Sequence, residues 1–301
     1  MKFSIITPAY RGAVFLPRAY ESLFRQAGGH QFEWVIIDDF SDDDGATRGV
    51  MEALKGESPF VVKTVYLDKN YYGSRSITAG TSIAEGAYGI ILDQDDMLTK
   101  DALNIYSRHM DLYEDRQDFA GACGRCQRPD GSFIGTQLKS NAYYSNELAV
   151  RHLDKVRGEM LHCTRTSILD EYFRGMKPGY TNGWVWRRIA QRYNYVYTNE
   201  VVRIYDSFNL SSGTNLGLIR YVDARYEHLL DEMTNNVEYL WHDKAFLIGS
   251  LGQLLRLGLH LNLSFFDTAR RLPRRVLPFL IAVYPAAFAK YVNDVRSKRV
   301  G

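Results

Sequence analysis

The residues of this sequence best placed to do chemistry end one stretch, Tyr88-Gly89-Ile90-Ile91-Leu92-Asp93-Gln94-Asp95-Asp96, where an apolar run stops in three carboxylates within four positions. A buried strand that ends this way aims negative charge at one edge of a sheet. Carboxylates a few ångströms apart raise one another's pKa unless a cation sits between them. Hard oxygen ligands of this kind suit Mg²⁺ or Mn²⁺, with substrate phosphates and water completing the shell. The competing reading is structural: Asp95 or Asp96 would cap a helix beginning near Leu98.

The elements that must position this cluster are legible in the flanking pattern. Phe3-Ser-Ile-Ile-Thr-Pro-Ala-Tyr10 reads as an apolar strand closed by Thr7-Pro8, and Phe32-Glu-Trp-Val-Ile-Ile-Asp38-Asp39 as a second that also ends in acid. Residues 60–67 and 88–92 give a third and a fourth. Leu16, Tyr20, Leu23 and Phe24 recur at helical spacing, with Pro17 in the first turn and Gly28-Gly29 beyond the end. Further helices are expected near 47–54 and over 76–85. Strands alternating with helices predict a mostly parallel sheet with helices on both faces, and ligands of such sheets bind outside the carboxyl ends of the strands.

Four segments follow strand ends: Thr7, Pro8, Ala9 and Tyr10; Asp38 to Ser41; Asn70 to Arg75; and Asp93, Gln94, Asp95 and Asp96. Their chemistry is coherent. Tyr10 offers a ring for a flat base, Asp38 or Asp39 can accept from a base N–H or a ribose hydroxyl, Arg75 can meet a phosphate, and Asp95 can hold a bridging metal. Taken singly, Tyr10 reads equally as a packing ring, Asp38 as a turn former and Arg75 as a solvated helix charge. No GxGxxG or GxxxxGK[ST] pattern follows a strand, which argues against dinucleotide-binding and P-loop readings.

Apolar residues at 46% and charged residues at 24% are globular values, and the net charge of +2 excludes no partner by itself. The three cysteines make no disulfide framework; Cys123-Gly-Arg-Cys126 lacks a matching second pair and reads as small strand residues rather than a zinc or redox site. The N-terminus reads as a strand and not a signal peptide, so a cytoplasmic chain is expected. From about residue 216 the composition turns helical. Residues 276–289 are uncharged between Arg275 and Lys290, with Arg270, Arg271, Arg274, Arg296, Lys298 and Arg299 nearby. The run is expected to be too short to span a bilayer and to lie against an anionic cytoplasmic leaflet. A packed subdomain or a homodimer contact is the alternative. No nucleic-acid motif accompanies the basic residues.

The segments Phe3-Ser-Ile-Ile-Thr-Pro-Ala-Tyr10, Glu33-Trp-Val-Ile-Ile-Asp-Asp-Phe-Ser41, residues 70–80 and Leu92-Asp-Gln-Asp-Asp96 together resemble the nucleotide-binding half of family 2 glycosyltransferases with the GT-A fold. The likeness is close over the first third of the chain and weaker to about residue 212. It implies an inverting, non-processive transferase that moves a sugar from a nucleotide-sugar, here a UDP-sugar, to a glycan or lipid-linked acceptor in surface polysaccharide synthesis. It also implies Mn²⁺ or Mg²⁺, with Asp93 and Asp95 at the DXD positions. A GT-A catalytic domain is expected over 1–215 (nucleotide-binding half 1–100, acceptor half 101–215), followed by a helical, basic extension over 216–301.

One departure from the family pattern concerns the base that deprotonates the acceptor. Relatives of this kind carry Glu or Asp shortly before an apolar helix like Trp184-Val-Trp-Arg-Arg-Ile-Ala190, whereas this chain has Tyr180-Thr181-Asn182-Gly183. Asn182 cannot take a proton usefully. Glu159, after Gly158, is the first substitute and Asp206 the second; Glu159 reads otherwise as a surface acid. The segment 200–213 resembles the family's strand and loop that close over the diphosphate, with Arg203 contributing charge. Two alternatives remain open: a catalytically silent homologue that binds nucleotide sugar, and a nucleotidyltransferase on a similar sheet.

Overall fold

The computed structural model describes residues 1–297 apart from 27, 72, 177–179 and 207–220. Its first half follows the alternation read from the sequence: β1 (Phe3–Ala9), α1 (Leu16–Phe24), β2 (Phe32–Asp38), α2 (Ala46–Glu57), β3 (Val61–Tyr66), α3 (Ser74–Ile83) and β4 (Tyr88–Ile91). The four strands are parallel neighbours in the order β3-β2-β1-β4. Phe3, Ile5, Trp34, Ile36 and Ile90 turn one way into a core shared with α1, and Ile6, Val35 and Ile37 turn the other way under Ala79 of α3. This period-two split explains why the strands read as continuous apolar runs: both faces are covered.

The second half changes strand direction. β5 (Met97–Leu98), α4 (Ala102–Met110), β6 (Phe119–Gln127), β7 (Tyr143–Ser145), β8 (Met160–Arg165), α5 (Thr166–Arg174), α6 (Asn182–Ile189) and β9 (Asn194–Ile204) follow. Among the described residues the sheet has nine strands, continuing β4-β8-β6-β9-β5 with β7 beside β9. β8 runs antiparallel to β4, pairing Tyr88 with Arg165 and Ile90 with Cys163. An antiparallel neighbour begins where β4 ends, so the residue just before β8, Glu159, arrives at the carboxyl edge that holds the acid cluster. The structure also corrects the capping alternative: Met97–Leu98 is a short strand and the next helix starts at Ala102, so neither Asp95 nor Asp96 caps it.

Two compact units emerge, one of Met1–Glu147, Val156–Met176 and Val185–Leu210, the other of Leu148–Lys155, Lys177–Trp184 and Ser211–Gly301. The boundary expected at 215/216 lies outside the described residues. In the second unit α7 (Val222–Asn235), α8 (Val237–Leu240), α9 (Lys244–His260), α10 (Phe265–Ala269) and α11 (Leu277–Arg296) enclose their own core, including Leu247, Leu251, Leu254 and Leu280. Asp294 of α11 is buried and accepts from Arg256 Nε of α9 at 2.6 Å and bonds His260 at 3.1 Å. The expectation that residues 276–289 are too short to span is corrected. With the 3₁₀ turn Arg274–Val276 the helical stretch is 23 residues, long and apolar enough to cross a membrane by length and composition. Pro278 falls in the first turn, where its missing N–H costs nothing, and Pro285 lies within the helix without ending it.

Gly86 shows how tightly the parallel strands are laid. A Cβ there would lie 2.5 Å from the Phe3 carbonyl carbon and 2.6 Å from the Ser4 nitrogen, neither of which can move without shifting β1. Gly86→Ala should therefore lower stability by about 1–3 kcal/mol, the usual cost of overpacking. Urea unfolding followed by circular dichroism tests this, and an unchanged midpoint would contradict the packing described.

Candidate active site

The four strand ends are tied together by side chains reaching across the gap where ladder pairing stops. Asp39 N–H donates to Ala9 O at 2.7 Å. The Gln94 amide spans β1 and β4, accepting from Tyr10 N at 2.9 Å and donating to Tyr10 O at 3.0 Å, so a side chain replaces the next rung of a sheet. Asp39 accepts from Tyr71 N at 2.8 Å and Gly73 N at 2.7 Å, pinning the turn after β3. These bonds bring the segments after the strand ends together at one edge of the sheet.

Within it the expected residues differ in how far they are already engaged. Thr7 is buried, and its hydroxyl accepts from Trp34 Nε1 at 2.8 Å; Ala9 is buried and Pro8 half-buried. Asp38 is fully buried, accepting from Ser41 N at 2.9 Å and Arg48 Nε at 2.8 Å. Tyr10 is half-buried and donates to Asp42 at 2.7 Å. Asp42 also receives the Arg11 guanidinium through Nε and Nη2, each at 2.6 Å, and Arg11 holds its carboxyl well below the usual range. Asn70 contacts Tyr10 as well, and exposed Arg75 lies over the Tyr71 ring with Nη1 2.9 Å from its hydroxyl. Asp42, Arg11 and Arg48 were not named as site residues by sequence reading, because a charge on a loop, or on the exposed face of α2 as for Arg48, carries no periodic signal.

The acid turn is organised by one cation. Arg203, on β9, is buried, with Nη1 2.9 Å from Asp96 Oδ2, Nη2 3.3 Å from Glu159 Oε2 and Nε 3.2 Å from Cys126 Sγ. Asp96 is buried too, and its other oxygen accepts from Asp206 N at 3.2 Å. The Asp206 carboxylate, 13% exposed, pairs with Arg18 at 2.9 Å, while the Glu159 side chain is 53% exposed. So Glu159 offers a tethered but open carboxylate and Asp206 an enclosed one. A charged residue inside the apolar strand Val201-Val202-Arg203-Ile204 was the available signal for this hub. Cys123 and Cys126 are buried in β6, as their reading as strand residues expected, and Cys163 is buried in β8.

Burial pushes the Asp96 carboxyl up to about 8; Arg203 pulls it down, and Asp93 and Asp95 push it back up. Asp93 is raised for the same reasons, burial first, with Asp95 and Glu159 adding to it against Arg203. Asp93 and Asp95 are half-buried neighbours whose mutual repulsion asks for a further positive charge, and two hard carboxylates fit Mg²⁺ or Mn²⁺. Among the described residues no group of three or more His, Cys, Asp or Glu could hold an ion unaided. An ion on Asp93 and Asp95 would therefore keep positions for phosphate oxygens and water. The loop expected over 207–213 lies outside the described residues.

The sign of the pH effect follows. The Asp96 pKa is higher in the folded than in the unfolded chain, where it is about 3.9, so without metal its favourable contribution is complete below about pH 4 and is lost as pH rises through about 8. Asp96→Asn should flatten the fall in metal-free stability between pH 5 and 8, and Mn²⁺ should stabilise the wild type more at pH 8 than at pH 6. Urea midpoints across that range test both, and parallel wild-type and variant curves would refute the first.

Comparison with known proteins agrees with this architecture. The family model "Glycosyl transferase family 2" matches residues 4–173, more than half of the chain. An undecaprenyl-phosphate 4-deoxy-4-formamido-L-arabinose transferase of Klebsiella pneumoniae is 31% identical over 174 residues, 56% of this chain and 50% of that protein. The poly(ribitol-phosphate) beta-N-acetylglucosaminyltransferase TarP of Staphylococcus aureus is 33% identical over 105 residues, 34% of this chain and 31% of that protein. The chain thus spans half or less of the length of these relatives. Among solved structures, S. aureus TarS 1–349 in complex with UDP-GlcNAc matches 99% of this chain and 92% of its own, with TM-score 0.67 and 16% identity. The mannosyltransferase PcManGT of Pyrobaculum calidifontis, in complex with GDP-Man and Mn²⁺, matches 97% and 87% with TM-score 0.57 and 16% identity. At these identities the structures speak for the fold, and with the family match they lead to one conclusion: the chain belongs to glycosyl transferase family 2.

Proposed function

We propose that this chain transfers a single sugar, with inversion, from a UDP-sugar to a lipid-linked or polymeric acceptor in surface polysaccharide synthesis, using Mn²⁺ or Mg²⁺. The observation that carries the reading is the shared cation Arg203, which ties the acid turn of β4 to the open carboxylate of Glu159. The donor crevice is assigned to Thr7–Tyr10, Asp38, Asp39, Asn70, Arg75, Asp93 and Gln94. Support for the donor comes from the UDP-GlcNAc named with TarS, for the metal from the Mn²⁺ named with PcManGT, and for the acceptor class from the names of the two relatives.

Asp93 and Asp95 would hold the ion, which supplies Lewis-acid stabilisation of the charge growing on the leaving diphosphate. The protein's own residues do the rest. Glu159 takes the proton of the acceptor hydroxyl; its Arg203 bond keeps the carboxylate aimed, and its exposure leaves an oxygen open to the acceptor. Asp206 is the second candidate, weakened by its Arg18 pair. Residues 1–215 are assigned to catalysis and 216–301 to attachment at the cytoplasmic face of a membrane. A silent homologue remains the competing reading, favoured by Asn182 at the start of α6, which has no acid in its first turn.

Glu159→Gln should lower turnover by roughly 10²–10⁴-fold while nucleotide affinity stays near wild type. Asp95→Asn should abolish Mn²⁺-dependent nucleotide binding with the fold intact. Donor hydrolysis and calorimetry with UDP and Mn²⁺ measure both. Release of nucleoside diphosphate is expected; pyrophosphate would make the protein a nucleotidyltransferase, and binding without turnover would make it the silent homologue.

A further inference from the structure

We propose that α11 lies in the plane of an anionic lipid surface, inserted along one face, rather than crossing the bilayer or pairing with a second copy. This rests on the membrane attachment proposed above and specifies its geometry. Pro278, Ile281, Ala282, Pro285, Phe288 and Ala289 recur at the i, i+3, i+4 spacing of one helix face and are all exposed. Ile281 is 63% exposed and Phe288 45%. Only 17% of the helix's apolar stretch is buried, unlike a helix of a soluble core. Phe266 of α10, 67% exposed, stacks edge-on against Phe265, which meets Tyr284, which meets Phe288, so the apolar face extends onto a second helix.

The opposite face decides against spanning. Val276, Leu280 and Ala287 are buried in the helical core, and Asp294 is held by Arg256 and His260 of α9. A helix surrounded by lipid would have to leave that core and strand a carboxylate.

Charge decides between lipid and a second copy. Arg274 at the start of the stretch and Lys290 and Arg296 toward its end are exposed, and none has an ion-pair partner among the described residues. The exposed face itself carries no acid. Two copies packed face to face would set basic end against basic end in either orientation, whereas anionic headgroups neutralise both ends at once. Lys298 and Arg299 lie outside the described residues.

The test uses the full chain and vesicles of phosphatidylcholine with or without about one-third phosphatidylglycerol. The wild type should sediment with anionic vesicles, weaken but persist at 0.5 M salt because only the charge contribution is screened, and come off in alkaline carbonate. Ile281→Asp with Phe288→Asp should lower binding at least tenfold with unchanged donor hydrolysis, since both side chains are exposed. In Phe288→Trp, indole emission should shift to the blue on binding and be quenched by lipids brominated near the headgroup. Binding that the double variant leaves intact and salt abolishes would make attachment purely electrostatic and overturn insertion. Resistance to carbonate would overturn the in-plane geometry. A lipid-free dimer that the double variant dissociates would make the face a contact between copies. No vesicle binding at all would sink the membrane assignment together with this inference, while donor hydrolysis would still report separately on the transferase reading.

Discussion

Three carboxylates packed into one turn at the end of a buried strand set the terms for everything around them. Asp96 is inside the protein, where an unpaired charge is expensive, and the chain meets this with Arg203. A buried ion pair of this kind adds little net stability, because the desolvation of both partners offsets their attraction. What it fixes is geometry: it commits β9 to the sheet beside β6, brings Glu159 against the turn, and anchors the backbone at Asp206. Asp93 and Asp95, on the same turn, are the two carboxylates proposed above to hold an ion.

The first half of the sheet was legible in the sequence because a parallel sheet covered on both faces writes itself as apolar runs, and because each run here ends in Pro or acid. Tyr10, Asp38, Asp39 and Asp93 could be placed at one edge on that pattern alone. Their bonds could not. Gln94 and Thr7 both read as site residues, yet the Gln94 amide bridges two strands and the Thr7 hydroxyl serves Trp34. Side-chain direction at a strand end depends on what lies across the gap, and no local pattern records that.

The second half of the sheet was harder to read for a different reason. β6, β8 and β9 pair across long stretches of sequence, in mixed directions and with irregular register where β6 meets β9. Glu159 could be named from its neighbouring glycine but not located. The C-terminal run illustrates a third limit: counting uncharged residues stopped at Lys290, while the helix continues to Arg296 because a lysine at a helix surface interrupts nothing.

The antiparallel entry of β8 carries a consequence for how this protein can fail. Side chains alternate along a strand, so the parity of the β4–β8 pairing, Ile90 against Cys163, decides which face of the sheet each residue near Glu159 addresses. A slip of one position would turn the carboxylate away from Arg203 and carry the buried side chains of β8 to the opposite face. Parity is guarded by steric fit: a Cβ on Gly121 would meet the Cys163 carbonyl oxygen at 1.9 Å, and one on Gly89 would meet Leu169 at 2.6 Å. Damage at these glycines would then be felt twice, as strain in the sheet and as a carboxylate displaced from Arg203.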